Sequence, residues 1–281
     1  MRICPDSKDL INIIEKSDPC SADYLESFMR TGRHQIVLSF MTVVEISGPL
    51  IHKEARTNVI RLLNLIESMP HAFIHSSSIP RLELKGALKA FSNGREYHKI
   101  NPYLDRFDEI VDFYAQPPTK IYLNYPLSEI VWDLYCFGAL EGPDRYAEKL
   151  RQLFALDRGL PEKPNLKENF IRTIQRNLSL HKLQAPSQGI EAFASWVYKN
   201  PTRCPSERLG YEAYHKIVKN VTVVPKDSDM EDLLHLGCLP YVELMTVGRR
   251  FHAYILEAAR SLGIYYETRT ARTVRDILQR R

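Results

Sequence analysis

The sequence predicts an α/β protein with a mostly parallel central sheet between two layers of helices. Short runs of β-branched and apolar residues, such as Gln35–Ser39, alternate with longer segments whose apolar residues recur at helical spacing. Repeated strand–helix–strand connections are right-handed and place strands in parallel, with helices on both faces of the sheet. The chain has 281 residues, 44% of them hydrophobic, which is enough to bury a substantial core. These observations together predict a three-layer α/β fold.

The first third of the chain supplies the opening strands and helices. Arg2–Cys4 predicts a short strand, and the spacing of apolar residues through Leu10–Ile14 predicts a helix for which Asp6 or Ser7 is the cap. The other elements predicted here are helices over Ser21–Arg30, Met41–Ile46, Arg56–Met69 and Pro80–Phe91, and strands over Gln35–Ser39 and His71–His75. Glu83, on the last of these helices, is interpreted as a solvated or capping residue.

The middle of the chain, residues 92–200, differs from both flanks. Prolines recur through it and interrupt helical segments such as Tyr146–Leu156 and Lys167–Leu178. We therefore predict an α-helical insertion over 92–200. It separates an N-terminal half of the domain, residues 1–91, from a C-terminal half, residues 201–281.

The C-terminal half repeats the strand–helix pattern. It predicts helices over Arg203–Lys219, Arg249–Leu262 and Thr273–Arg280, and strands over Val221–Val224, Tyr241–Thr246 and Ile264–Tyr266. Between the first two of these strands lies an acidic segment that reads as the start of a helix. A strand, a helix and a second strand form one repeat of an α/β sheet.

Composition limits the class of protein. No apolar run approaches the roughly 18 residues of a membrane span, and the opening residues MRICPDSKDL lack the apolar core of a signal peptide. The five cysteines are scattered without a CxxC pair, so neither a structural zinc site nor a disulfide framework is indicated. We expect a reduced, cytoplasmic protein that does not contact a membrane.

Acidic residues follow several of the predicted strands. Asp6 ends the first strand, Glu45 lies in the helix after the second, and four acids follow the strand over Val221–Val224: Asp227, Asp229, Glu231 and Asp232. Ligands of α/β sheets sit outside the carboxyl ends of the strands, and Mg²⁺ or Mn²⁺ prefers carboxylate oxygens. Converging carboxylates repel one another unless a cation lies between them. The alternative is that the acids only cap helices, where the helix dipole favours negative charge.

The C-terminal end is rich in arginine. From Thr246 to Arg281 there are eight arginines against three acids, although the whole chain carries a formal charge of only +4. Guanidinium groups suit phosphate oxygens, so Arg249 and Arg250 are the candidates for contact with a nucleic-acid backbone. A solvated helix face is the alternative interpretation.

Three segments carry the candidate acids together with the neighbouring strands: ICPDSKDLINII, QIVLSFMTVVEISGPL and DMEDLLHLGCLPYVELMTVGRR. The first resembles the opening strand and first acid of PIN-domain metal-dependent nucleases, and the second resembles their second block. DMEDLLHLGCLPYVELMTVGRR resembles the last block of larger bacterial PIN-like proteins. The resemblance implies a PIN-like fold in which Asp6, Glu45 and Asp232 hold Mg²⁺ or Mn²⁺. It places His235 beside the site, with a packed core histidine as the alternative.

One position departs from the family pattern. The family has an aspartate after the threonine of its last block, where this chain has Thr246-Val247-Gly248. The resemblance therefore implies a site without its fourth acid. Asp229 and Glu243 are the secondary acids that could replace it.

These features predict a metal-dependent endonuclease that hydrolyses phosphodiester bonds, with RNA favoured over DNA. The resemblance further implies a bacterial toxin or defence role, with an antitoxin or other regulatory protein and a second copy of the chain as candidate partners. The second hypothesis is a catalytically impaired PIN-like module that binds nucleic acid or a partner protein. The third is a helical scaffold whose acids are caps.

Overall fold

The computed structural model describes most of the chain. The described residues are 1–15, 22–75, 78–97, 99–107, 109, 125–136, 143–159, 166–220, 222, 232–263, 269–271 and 273–278. The predicted strand over Val221–Val224, apart from Thr222 in a turn, and the predicted strand over Ile264–Tyr266 lie outside these residues.

The centre of the fold is a six-stranded sheet with the order β4-β3-β2-β1-β5-β6. Its strands are β1 Arg2–Cys4, β2 Gln35–Ser39, β3 His71–Ile74, β4 Tyr103–Leu104, β5 Leu244–Thr246 and β6 Arg269–Ala271. Every pairing is parallel except that of β3 with β4. The prediction of an α/β protein with a mostly parallel sheet is therefore confirmed.

Helices connect the parallel strands. They are α1 Ser7–Ile14, α2 Ala22–Thr31, α3 Phe40–Ser47, α4 Lys53–Ser68, α5 Ile79–Ser92, α6 Leu127–Cys136, α7 Pro143–Gly159, α8 Leu166–Leu180, α9 Ile190–Lys199, α10 Pro205–Lys219, α11 Arg249–Leu262 and α12 Val274–Leu278. Short 3₁₀ turns lie at Gly48–Ile51, Pro201–Arg203 and Leu236–Tyr241. In the part of the chain that the structure describes, no helix combines the length and apolar character needed to cross a bilayer.

The sheet is buried on both faces because its strands alternate between two apolar clusters. Ile3 and Leu244 belong to a cluster that also takes residues from α1, α4 and α6. Their neighbours Cys4 and Met245 belong to a second cluster formed with α10 and α11. Successive side chains of a strand point to opposite faces of the sheet. Both β1 and β5 therefore contribute side chains to the core on each face.

The strand β1 lies between β2 and β5, and this position locates the candidate site. Ile3 pairs with Ile36 of β2 and with Leu244 of β5. All three strands run in the same direction, so their carboxyl ends meet at one edge of the sheet. We call this the β1–β2–β5 edge.

Three strands differ from the sequence prediction, and one of them, β6 over Arg269–Ala271, was not predicted at all. The strand predicted over Tyr241–Thr246 is shorter, because Tyr241 belongs to a 3₁₀ turn and only Leu244–Thr246 pairs. The range 92–200, predicted as a helical insertion, also contributes the strand β4 to the sheet. A third apolar cluster joins α8 and α9 of that range to α5 and α10.

Candidate functional site

Asp6 lies at the end of β1 and fixes the start of α1. Its backbone is extended, and its Oδ1 accepts a hydrogen bond of 2.9 Å from the Lys8 amide, so Asp6 is the helix cap. The Asp6 amide itself donates to Thr246 Oγ1 at 2.5 Å. This bond joins the carboxyl ends of β1 and β5, which are 240 positions apart in the sequence.

Glu45 extends from α3, the helix that follows β2. Its Oε1 lies 3.5 Å from Nε2 of His235, and the Ser7 hydroxyl donates a hydrogen bond to its Oε2. Both carboxylate oxygens therefore have a partner, one from α1 and one from the helical turn at 232–235. The arrangement holds Glu45 at the same edge as Asp6.

His235 is buried and has a partner for each ring nitrogen. Its Nδ1 lies 2.8 Å from Ser39 Oγ, at the end of β2. Ser39 Oγ also accepts from the Thr42 amide at 3.0 Å and lies 2.9 Å from the Thr42 hydroxyl. With both ring nitrogens protonated, Ser39 accepts two hydrogen bonds and donates its proton to Thr42, so every group is satisfied.

Burial and mutual charge set the ionisation of these groups. Burial opposes the charged form of His235, but the hydrogen bond and the negative charge of Glu45 outweigh burial and raise the His235 pKa to about 9. Burial raises the pKa of Asp6, and the nearby charge of Glu45 raises it further, while the Lys8 amide and His235 lower it. The edge thus holds two acidic side chains beside a histidine that is protonated near neutral pH.

Asp232 approaches the same edge from the β5 side. It begins the helical turn at 232–235 and is half-buried. A Cβ atom placed on Gly248, just after β5, would lie 3.3 Å from Asp232 Oδ2. The absence of a side chain at Gly248 therefore leaves room for this carboxylate, and Asp6, Glu45 and Asp232 all lie at the β1–β2–β5 edge.

The structure does not bring the secondary acid Glu243 to this edge. Glu243 precedes β5, and its Oε2 accepts a hydrogen bond of 2.6 Å from the amide of Arg2, the first residue of β1. Because β1 and β5 are parallel, this contact is at the amino ends of the strands, opposite Asp6. Asp229 lies outside the described residues.

The predicted phosphate contacts are described only in their backbone. Arg249 and Arg250 form the first turn of α11, directly after β5 and Gly248. Their side chains lie outside the described part of the chain.

The position where the resemblance expects a fourth acid is part of the core. Val247 is 5% exposed and packs in the cluster that contains Cys4 and Met245. An unpaired carboxylate there would be costly because burial disfavours the charged form. The chain therefore uses position 247 for packing.

The carboxylates at this edge are chemically suited to a small divalent cation. Mg²⁺ is commonly held by one or two carboxylates together with waters and substrate phosphate, which matches the pair Asp6 and Glu45. The raised pKa of Asp6 reflects a carboxylate that burial and a like charge disfavour, and a cation relieves both effects. Among the described residues, no group of three or more His, Cys, Asp or Glu side chains is arranged to hold a metal.

The link between His235 and Glu45 was not predictable from local patterns. Ser39, Glu45 and His235 come from β2, α3 and a turn that lies 196 positions after Ser39. The sequence favoured a packed core histidine at 235, and the residue is indeed only 7% exposed. The resemblance placed His235 beside the site, but no local pattern paired it with Glu45.

Comparison with known proteins adds no family assignment. No protein-family model matches this chain, and neither a curated protein nor a solved structure matches it. The PIN-like resemblance therefore stays a prediction from the sequence.

Proposed function

We propose that the protein is a metal-dependent endonuclease with a three-layer PIN-like fold, acting on RNA in preference to DNA. The observation that carries the proposal is the convergence of Asp6 and Glu45, from consecutive strand–helix units, on the β1–β2–β5 edge. Asp232 reaches the same edge beside Gly248. The proposed principal ligands of Mg²⁺ or Mn²⁺ are Asp6 and Glu45. The described residues include no group of three acids arranged around one metal, so Asp232 is proposed as a further ligand on the resemblance.

The chain's own residues hold the proposed ligands in place. Capping of α1 fixes Asp6, and the Thr246 hydroxyl anchors its amide to β5. Ser7 and His235 hold the two oxygens of Glu45. Sites of this kind depend on partners that orient each ligand, so we assign His235 as a positioning residue.

The proposed reaction is hydrolysis of a phosphodiester. Mg²⁺ or Mn²⁺ held by Asp6 and Glu45 would make a water molecule nucleophilic and would neutralise charge on the phosphate. The arginines that begin α11 follow directly after β5, which suits them to contact the nucleic-acid backbone.

Cleavage of a mixed RNA pool tests the proposal. We expect fragmentation with Mn²⁺ and none with EDTA. Asp6→Asn should lower the rate by more than the roughly 10- to 100-fold that loss of an outer-shell partner costs, and His235→Gln by an amount within that range. A single-stranded DNA pool, run in parallel, measures the preference for RNA.

Glu243→Gln is the matched control, because it alters an acid at the opposite end of the same strands. It should leave cleavage unchanged. Cleavage that persists in EDTA or in Asp6→Asn would refute the proposed site. An equal loss in Glu243→Gln and Asp6→Asn would do the same.

A second candidate is a PIN-like module that binds nucleic acid or a partner protein without cutting. The pairing of His235 with Glu45 favours it, since an imidazolium already provides positive charge between the acids. The core position of Val247 also favours it. RNA binding that weakens steeply with salt, without cleavage in Mn²⁺, would select this candidate.

The biological role is proposed on the resemblance alone. A toxin or defence effector would be controlled by an antitoxin or other regulatory protein, and a second copy of the chain is a further candidate partner. Growth arrest on expression of the wild-type chain, absent with Asp6→Asn, would support this role.

A further inference from the structure

A cleft of about 640 Å³ opens between the end of α5, the helix α9 and the start of α10. This volume lies within the roughly 300 to 1,000 Å³ typical of small-ligand sites. Its lining contains three aromatic side chains and three cations: Phe91, Tyr97, Trp196, Arg95, Lys99 and Arg203. None of these residues belongs to the site at the β1–β2–β5 edge.

The cleft is positively charged. Glu96 is the one acid in its lining, against three cations. In the part of the chain that the structure describes, Arg95, Lys99 and Arg203 form no ion pair with a carboxylate. Arg95 and Lys99 are exposed at the mouth, so their charges are available to an anion.

Arg95 is held at the mouth by its backbone. The helix α5 ends at Ser92, and the chain turns through Gly94. The Arg95 amide donates a hydrogen bond of 3.0 Å to the carbonyl of Ala90, which closes the last turn. The position of the Arg95 Cα is therefore set by the end of a helix.

The wall of the cleft is a stacked pair. The guanidinium carbon of Arg203 lies 3.7 Å from the centre of the Trp196 ring, and its Nη1 donates to the Trp196 carbonyl at 2.6 Å. The Phe91 ring packs against the indole at a tilt, with ring centres 5.3 Å apart. Arginine and aromatic planes held in this way are the surfaces on which nucleobases stack.

We propose that this cleft binds a nucleotide, with the base against the Arg203–Trp196 pair and the phosphate against Arg95 and Lys99. A cationic–aromatic wall, together with Arg95 and Lys99, which form no ion pair within the described residues, suits a ligand that is both planar and anionic. The nucleotide is either free or one unit of a single strand. The proposal does not depend on the metal site, because none of its residues is shared.

Binding to the full chain in EDTA tests the proposal apart from any cleavage. Adenosine monophosphate, inorganic phosphate and a short single-stranded RNA are titrated and followed by tryptophan fluorescence and calorimetry. The chain has two tryptophans, Trp132 and Trp196. Substituting each in turn shows which of the two is quenched by the ligand. We expect saturable quenching that is lost in Trp196→Phe and retained in Trp132→Phe.

Charge variants test the phosphate contacts. Arg95→Ala and Lys99→Ala should each weaken binding by about 10-fold or more, the effect of losing a hydrogen bond to a charged group. Arg61→Ala, at an exposed position of α4, is the matched control and should change affinity little. Asp6→Asn should bind as the wild type does, which separates this site from the proposed nuclease site.

Two results support the proposal and identify the source of the nucleotide. If the mononucleotide and the RNA bind with equal affinity per site, the ligand of the cleft is a free nucleotide. If only the RNA quenches the fluorescence, the ligand is one unit of a single strand. Absence of quenching by both would overturn the proposal. So would inorganic phosphate binding as tightly as the mononucleotide, or an effect of Arg61→Ala as large as that of Arg95→Ala.

Discussion

At the residue scale, the buried carboxylate of Glu83 shows how a single side chain can join two elements. Glu83 lies on α5 and is fully buried. It accepts hydrogen bonds from the amides of Ser206 and Glu207, at the start of α10, and from the Tyr241 hydroxyl. The sequence predicted a solvated or capping residue. It is a cap, but for a helix more than 120 positions away, which local patterns cannot reveal.

Removing this cap should destabilise the fold. Glu83→Ala leaves two buried amides and one hydroxyl without an acceptor, and we expect a loss of about 2 to 4 kcal/mol in the free energy of unfolding. Glu83→Gln keeps an oxygen acceptor and should cost less. Denaturant unfolding measures both variants. A loss in Glu83→Ala below about 0.5 kcal/mol, the range of ordinary surface changes, would contradict this role.

The pairing of His235 with Glu45 predicts a pH dependence of stability. The His235 pKa is about 9 in the folded chain, above its ordinary value of 6.5, so the folded state binds the proton more tightly. The contribution of this proton to the free energy of unfolding is complete below pH 6.5 and is lost as the pH rises through 9. The upper bound on this contribution is about 3 kcal/mol.

Unfolding of the wild type and His235→Gln between pH 6 and pH 10 measures this contribution. The stability difference between them should shrink as the pH rises from 6.5 to 9. His215→Gln is the control, because the pKa of His215 is lowered by burial and its contribution changes below pH 6.5. A constant difference between wild type and His235→Gln would show that His235 does not titrate in this window.

At the element scale, a strand with a long run of buried residues was the easiest to predict from the sequence. Gln35–Ser39 has four buried residues in succession and was predicted with its correct bounds. The strand β4 has only two residues, both half-buried, and carries no pattern of its own. It exists because it pairs with β3, a tertiary contact that no local propensity encodes.

A second point at the element scale concerns Glu243, which the sequence offered as a replacement for the fourth acid of the site. The predicted strand Tyr241–Thr246 contained Glu243 but did not determine which edge of the sheet the residue occupies. The observed strand begins at Leu244, so Glu243 precedes it and lies at its amino end. Glu243 stands three positions before Thr246, the last residue of β5, so an extended segment of chain separates it from the β1–β2–β5 edge.

Two glycines should respond in opposite directions to the same substitution. Gly263 ends α11 with φ of +67°, a conformation that side chains disfavour, so Gly263→Ala should cost about 1 kcal/mol. Gly210 lies inside α10 and has no atom within 4 Å of a Cβ placed there, so Gly210→Ala should stabilise by about 0.5 to 1 kcal/mol. Thermal unfolding compares the two. If both substitutions changed the stability in the same direction, the backbone geometry at one of these positions would be contradicted.

At the scale of the whole molecule, the parallel sheet brings together acids from the two ends of the chain. Strand order and direction are enough to place Asp6 and Glu45 at one edge of the sheet. The sequence indicated both of these acids. The positions of Ser7, Ser39 and His235 around them depend on how α1, α3 and the turn at 232–235 pack, and this packing is set by the complete fold. The nucleotide cleft was missed for the same reason, since its lining comes from three separate helices and their ends.

The most direct test of the proposed metal site is calorimetric titration of Mn²⁺ into the wild type, Asp6→Asn and Glu243→Gln. If the β1–β2–β5 edge holds a metal, the wild type and Glu243→Gln bind Mn²⁺ with the same affinity and stoichiometry. Asp6→Asn then loses that binding while keeping a folded spectrum. Absence of binding to the wild type, or equal binding by Asp6→Asn, would contradict the metal site and leave the nucleic-acid or partner-binding module as the function of this edge.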